Sequence, residues 1–291
     1  MELVRTLRKI VTKINPVLSN KIMYKKLMKK KLNLSNPTLF NEKINWLKIY
    51  NYPSNNFVIK CTDKVKLHDF LKEKKLTEYE VEVIDIWNNA DEIDWGKLPN
   101  KFVLKCNHGS RYNIVCNDKS KLDENVVKNK LKKWMKEDFG LVSGELHYSK
   151  IEKKIICEKY LGENLIDCQI WATNGEILFI SYINEPHGKN AKISYSENWE
   201  KLNFVTSLPK YENDVKKPKR LDEMIKITKL LSKNMPFLRM DFYILNDETI
   251  KISEMTFSPS SGFIFWDPHE INEELGKKID LKIAEENNEK S

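Results

Sequence analysis

Two hairpin signatures constrain this chain more than any other feature. Residues 168–173 and 176–183 are apolar, strand-like runs separated only by Asn174-Gly175, the dipeptide best suited to the left-handed angles of a two-residue turn. Residues 238–245 and 249–257 repeat the arrangement, with the turn centred on Asp247-Glu248. Shorter strands are expected at 57–61 (FVIKC), 81–87 (VEVIDIW), 102–106 (FVLKC) and 154–158 (KIICE). Apolar residues at helical spacing predict helices over 3–14, 40–50, 64–75, 124–137 and 221–233, with Pro16 ending the first and Asp123 capping the fourth. Helices alternating with strand pairs predict an α+β fold with antiparallel sheets, not a doubly wound parallel sheet. The polar, proline-bearing stretch 184–220 reads as a long loop region that could serve as a lid.

Charge separates the chain into two parts. Of 50 basic and 42 acidic residues, ten basic ones and only Glu2 fall within residues 1–31, which leaves the remainder neutral. A nucleic-acid-binding domain would more often spread its basic residues over a folded face, so that class is disfavoured. In 3–14, Leu3, Leu7, Ile10 and Ile14 share one helical face, and Arg5, Arg8, Lys9 and Lys13 lie away from it. Either the helix packs on the protein's own body with its lysines solvated, or it lies on an anionic membrane surface. Its shortness and the lack of Trp or Phe favour the first reading. Five cysteines without a CxxC pair suggest a reduced, cytoplasmic protein. No apolar run approaches the roughly 20 residues of a membrane span, and the opening segment lacks the apolar stretch of a signal peptide.

Three constellations could carry chemistry. In LRMDFYIL, Arg239, Asp241 and Tyr243 share one strand face, while Glu254 and Thr256 are expected to share a face with Ile250 and Ile252 on the returning strand. The centred turn sets Asp241 opposite Glu254, where two carboxylates about 5 Å apart need a neutraliser. Mg2+ is a natural one, being held by one or two carboxylates plus substrate phosphates. An ordinary solvent-facing hairpin with Arg239 paired to one acid would fit as well, and a one-residue slip would remove the opposition. Lys105-Cys106-Asn107-His108-Gly109-Ser110 follows an apolar strand, as a phosphate-binding loop would, although a plain strand-to-turn junction also explains it. Ile155–Leu161 could present backbone groups to a heterocycle and Glu158 to a ribose, yet alone reads as a core strand reaching the surface. There is no HExxH, GxSxG, GxxxxGK[ST] or GxGxxG, which removes the commonest zinc, hydrolase, P-loop and dinucleotide signatures.

In order along the chain, these signals resemble the TupA-like branch of the ATP-grasp superfamily. The resemblance covers roughly residues 36–276 and is carried by FNEKINWLKIY, TDKVKLHDFL, LPNKFVLKCNHGS, HYSKIEKKIICEKYL, KPKRLDEMIKITKLLSKNMPFLRMDFYIL and ISEMTFSPSSGF. It implies an ATP-grasp fold in which two α+β lobes clamp the nucleotide between antiparallel sheets. Lys64 and Lys105 would touch the phosphates, and His108, Gly109 and Ser110 would cover them. Glu158, Lys159 and Leu161 would line the adenine pocket, and Asp167 would accept from the ribose. Arg239 would stabilise the transferring phosphoryl group, and Asp241, Glu254 and Thr256 would hold Mg2+. Two departures stand out: Arg111-Tyr112 in place of the usual glycine pair, and Asp167-Cys168-Gln169 in place of Asp-Tyr-Lys.

The resemblance implies a carboxylate–amine ligase that forms an amide through an acyl phosphate, in bacterial capsule or teichuronopeptide-type surface-polymer synthesis. A kinase or a glycosyltransferase-associated protein of the same pathway is one alternative, and a degenerate nucleotide-binding scaffold is another. The expected segments are a basic arm (1–35), a helical lobe (36–97), a nucleotide-clamping subdomain (98–161) and a lobe with the metal site (162–291). Contact with a membrane or a surface-polymer assembly is open for residues 1–31.

Overall fold

Two wholly antiparallel sheets face one another across a cleft. The computed structural model describes residues 2–163, 165–184, 191–206, 208–209 and 214–289. The smaller sheet has the order β1 (Val83–Trp87), β4 (Ile155–Lys159), β2 (Phe102–Cys106), β3 (Asn113–Cys116). The larger has the order β10 (Ile250–Thr256), β9 (Leu238–Ile244), β5 (Ile166–Thr173), β6 (Glu176–Asn184), β7 (Ala191–Tyr195), β8 (Lys201–Leu202). The Asn174-Gly175 turn joins β5 to β6 with both residues at positive φ, as its dipeptide dictates.

Each sheet is amphipathic, and that sets the cleft. In β2, Phe102, Leu104 and Cys106 are fully buried and pack with Val127 and Leu131 of α6 (Glu124–Lys136), whose N-terminus is capped by Asp123. Val103 and Lys105 therefore point the other way. In β9, Leu238, Met240, Phe242 and Ile244 join the core with α8 (Leu221–Ser232), and Arg239, Asp241 and Tyr243 take the opposite face. Fully burying side chains of this size contributes ~1.5–3 kcal/mol each, so the alternation is strongly enforced.

Three local expectations change. Residues 57–61 are not a strand but lie in α4 (Asn56–Thr62), capped by the Asn55 side chain 3.1 Å from the Val58 amide. Val58, Cys61 and Thr62 are its buried residues, a helical spacing hidden inside a β-branched run. Within 184–220, Ala191–Tyr195 is a strand with all five residues buried, followed by β8. The lid expected there falls in part on 185–190, 207 and 210–213, outside the described residues. Pro16 ends α1 (Glu2–Ile14) but also opens α2 (Pro16–Met28), because its missing N–H costs nothing at a first helical position and Asn15 caps the turn.

The second hairpin holds a bulge. Ile250 faces Ile244 and Ile252 faces Phe242, so continued pairing would set Ser253 against Asp241. The register shifts between Ile252 and Glu254, and Glu254 then faces Asp241, with Thr256 opposite Arg239. The expected opposition holds through this extra residue. The shared face with Ile250 and Ile252 does not: both isoleucines are buried in the core with Met255, and Glu254 and Thr256 turn to the cleft.

Helix α3 (Phe40–Tyr50) fastens the segment after β10. Asn41 Nδ2 donates to the Ile264 carbonyl at 2.7 Å, Asn45 Nδ2 to Gly262 O at 2.8 Å, and Lys48 Nζ to Ser261 O at 2.5 Å. Among the described residues, no helix is long and apolar enough to cross a membrane.

Candidate active site

The cleft gathers charge from both sheets. Its two connected recesses, of about 980 and 240 Å3, share Ser110, Arg111, Asp167, Gln169, Arg239 and Glu254. The smaller is also lined by Lys64, Lys105, Asp241 and Tyr243. The larger reaches Thr256 and the serines at 258, 260 and 261.

Arg239 is the hub. Its Nε lies 2.6 Å from Asp241 Oδ1 and its Nη2 lies 2.5 Å from Oδ2, a bidentate pair. The same Nη2 is 3.4 Å from Glu254 Oε1 and 3.1 Å from Thr256 Oγ1, which in turn lies 3.0 Å from Glu254. Burial pushes the Asp241 carboxyl well above its usual range, Arg239 opposing and Glu254 and Asp167 adding to the rise. Burial also pushes Glu254 upward, but Lys64 and Arg239 outweigh it and hold this carboxyl below its ordinary value. The two acids thus carry unequal affinities for a proton on one small face.

These donors suit a hard cation. Two carboxylates and a hydroxyl match the oxygen set of Mg2+ when phosphates supply the remaining ligands. Among the described residues, no group of three or more His, Cys, Asp or Glu side chains could hold a metal by itself. The residues therefore fit a metal that arrives with a phosphorylated ligand, with Arg239 neutralising the pair in the meantime. Asp167 supplies a second mark of a ligand site: its Oδ1 is buried without a partner, while Oδ2 accepts from Gln169 Nε2 at 3.0 Å.

The remaining expected residues divide. Lys105 Nζ lies 2.5 Å from Glu158, and both side chains are nearly buried. Burial lowers the Lys105 pKa, but Glu158 outweighs it and the net direction is upward. Lys64 Nζ donates to Gly109 O at 2.9 Å, which ties it to the 107–112 loop, and burial lowers its pKa. Ser110 lines both recesses. His108 points away: its ring is 1% exposed, with Nε2 3.1 Å from the Trp134 carbonyl. Lys159 sits at an exposed strand end and pairs with Glu82 at 2.9 Å. Leu161 follows that strand half-buried, outside both recesses.

The Tyr112 departure has a structural consequence. Tyr112 stacks on Trp134 at 5.2 Å and donates a short hydrogen bond to Glu137. A Cβ on Gly109 would come 2.7 Å from the Tyr112 ring, so the loop needs glycine there. Asn107 completes the anchorage, its Nδ2 donating to Asp63 and to Glu152 O at 2.8 Å each.

Sequence reasoning missed three groups. Lys192 on β7 is 9% exposed, with Nζ 5.2 Å from the Trp171 ring centre. Burial first and Arg239 second lower it to about 7. The alternation in AKISY is its one local signal. Glu145 accepts from Ser258 Oγ at 2.5 Å and Ser261 Oγ at 2.7 Å, and so shapes the floor of the larger recess with no motif of its own. Lys48 lies behind them, lowered to about 7 by burial.

His147 is 1% exposed beside Lys48, with Nδ1 unpartnered, and burial and then the lysine charge push it down to about 3. From the unfolded value of about 6.5 downward, the unfolded chain takes a proton that the native ring refuses, so stability is lost as pH falls. His147→Phe should therefore gain on the wild type by ~2 kcal/mol between pH ~6.5 and ~5. Urea denaturation of both proteins at the two pH values checks this; a constant difference would show that the ring titrates normally.

The geometry can be set beside known proteins. No curated protein matches the chain. Among solved structures, the D-alanine–D-alanine ligase from Bacillus anthracis complexed with ATP is similar at 13% identity and a TM-score of 0.46, over 80% of this chain and 69% of that one. The N5-carboxyaminoimidazole synthase from Aspergillus clavatus, with ADP and an aminoimidazole ribonucleotide, is similar at 12% and 0.39, over 73% of this chain and 46% of that one. The L-amino acid ligase from Bacillus licheniformis is similar at 13% and 0.39, over 67% and 40%. The chain thus spans less than half the length of two of these three proteins, and the likenesses are distant. The family model for TupA-like ATP-grasp proteins, by contrast, matches residues 42–280, taking in both sheets and the whole cleft. This chain belongs to the TupA-like ATP-grasp family.

Proposed function

We propose that the chain is an ATP- and Mg2+-dependent carboxylate–amine ligase that serves bacterial capsule or cell-surface polysaccharide synthesis. The observation that carries this reading is the opposed Asp241 and Glu254, bridged by Arg239 in a cleft that also holds Lys64 and Lys105. A substrate carboxylate oxygen attacks the γ-phosphorus of ATP and ADP departs, which leaves an acyl phosphate. An amine then attacks the acyl carbon, inorganic phosphate leaves, and the amine proton passes to solvent or a nearby base.

Phosphoryl transfer asks little covalent help, so the protein's work is positioning and charge neutralisation. Lys64 and Lys105 meet the phosphates, with the 108–110 loop closing over them. Glu158, Lys159 and Leu161 border the base, and the free oxygen of Asp167 takes a ribose hydroxyl. Arg239 leaves the carboxylates to stabilise the moving phosphoryl group. Asp241, Glu254 and Thr256 would hold Mg2+, which when bound neutralises phosphate charge. The segments 1–35, 36–97, 98–161 and 162–291 act as arm, helical lobe, clamp and metal-bearing lobe. Activity on the cytoplasmic side fits the ATP supply, and the arm is the part that would meet a membrane or surface-polymer assembly.

The test is a thermal melt with ATP plus Mg2+, with ATP alone and GTP as controls. At a hundredfold excess over Kd, ligation-competent binding should stabilise by ~2.7 kcal/mol, a rise of several degrees. An Mg2+-dependent rise justifies screening acid–amine pairs for ADP release. Phosphorylated product without amide would identify a kinase instead, and an unchanged melt would leave a scaffold.

A further inference from the structure

The N-terminal helix is mounted with its polar side inward. Arg5 Nε donates to Glu137 Oε1 at 2.9 Å, Lys9 Nζ lies 3.1 Å from the same carboxylate, and Arg8 Nη2 donates to Ser143 O at 2.7 Å. Thr12 Oγ1 lies 2.7 Å from Ser19 Oγ and ties α1 to α2. The helix does pack on the body, as one reading of the sequence expects, but through its basic face. Val4, Leu7, Ile10 and Ile14 consequently face outward at 50–79% exposure. On α2, Leu18 and Ile22, one helical turn apart, are exposed at 47% and 50%, while Leu27 lies on the other side of that helix. Among the described residues, six of the thirteen exposed large hydrophobic side chains are Val4, Leu7, Ile10 and Ile14 on one face of α1 and Leu18 and Ile22 on one face of α2, a concentration beyond ordinary scatter.

From this patch we propose that the α1–α2 pair is a docking surface for an anionic lipid bilayer. Charge selects that occupant over the others. Lys13, Lys21, Lys25, Lys26, Lys29 and Lys31 are exposed around the patch, and none has an ion pair among the described residues. Residues 1–31 hold ten basic residues against one acid, while the rest of the chain is neutral. A second copy seated on the same face would bring these lysines against their own counterparts. An anionic bilayer supplies hydrocarbon for the leucines and isoleucines and lipid phosphates for the ammonium groups at one interface. Neither short helix contains a tryptophan or phenylalanine to anchor it, so attachment is shallow, reversible and sensitive to salt. The inference is independent of the nucleotide site.

Deleting the arm would be a poor test, because buried Tyr24 packs with Leu32, Leu34, Trp46 and Phe263 and its loss would open the body. The full chain is instead sedimented with phosphatidylcholine vesicles, with and without phosphatidylglycerol, at low and moderate salt. The wild type should pellet with the anionic vesicles at least ~10-fold more than with the neutral ones, and salt should release it. The triple variant Leu7→Glu, Ile10→Glu, Leu18→Glu should lose partitioning on the order of 100-fold. Lys21→Glu with Lys25→Glu should weaken binding to anionic vesicles only. All these positions are exposed, and overlaid melts, each with the ATP–Mg2+ shift of the wild type, show that fold and nucleotide site are intact. No pelleting of the wild type, or equal pelleting of the triple variant, overturns the proposal. A dimer in analytical ultracentrifugation that the triple variant makes monomeric would assign the face to a second copy instead.

Discussion

Asp241→Asn is expected to lower amide-forming turnover on the order of 10³-fold, the scale set by losing one fixed electrostatic contact to a transferring group. Asn keeps the shape and a hydrogen-bond acceptor for Arg239 but removes the charge opposite Glu254. It breaks the buried Arg239–Asp241 pair, but the amide oxygen and Glu254 still face the guanidinium, so the loss of stability should stay below the ~3–5 kcal/mol of leaving a buried charge with no partner. Glu254→Gln should behave similarly, with a smaller change in stability because that side chain is 37% exposed. The measurement is single-turnover ADP release alongside urea denaturation. Near-normal turnover in Asp241→Asn would sink the metal assignment and, with it, the ligase chemistry built on this hairpin.

Arg239→Met should be costly even without substrate. The guanidinium is the cation nearest both Asp241 and Glu254, and its removal leaves two facing carboxylates in a mostly buried position. Breaking a buried pair this way typically costs ~3–5 kcal/mol, or about 5–8 °C in melting temperature for a chain of this size. Mg2+ added together with ATP should then stabilise the variant more than the wild type, because in the wild type the arginine already occupies the space between the acids, and the nucleotide phosphates complete the oxygen set. Activity should still be lost, since the phosphoryl group has lost its guanidinium partner. Melts across a magnesium titration separate the outcomes. A variant whose melt in the presence of ATP is unmoved by Mg2+ would mean that the two carboxylates are not a cation site.

Much of this site is legible along the chain. Alternation in LRMDFYIL is enough to put Arg239, Asp241 and Tyr243 on one face, and β9 has that face. Asn174-Gly175 locates its hairpin, Asp123 its helix, and the order of weak motifs the family. The opposition of Asp241 and Glu254 is legible only in part. It follows from an unbroken register centred on the turn, but the true register runs one residue off until the bulge near Ser253 restores it. A bulge has no dependable local signature, because the energy that places it is the burial of Ile250, Ile252 and Met255 on one side against Glu254 and Thr256 on the other.

Other features depend wholly on what lies across from a segment. FVIKC suits a strand or a helix, and Asn55 with the packing of Val58 and Cys61 decides for the helix. His108 sits in the right loop, yet the Trp134 carbonyl draws its ring away from the cleft. Lys192 enters the site because β7 pairs with β6, a contact between strands in a stretch whose polarity and prolines suggest a loop. The sharpest case is α1, whose amphipathic pattern is plain but whose orientation is not. Periodicity determined that this helix has one apolar and one basic face, and with the hairpins it determined the fold class and the residues the cleft would carry. Only the tertiary structure decided that Glu137 and the Ser143 carbonyl would claim the basic face and leave the apolar one outside. The reason is general: covalent order sets which side chains share a face, but the partner for that face comes from residues more than a hundred positions away.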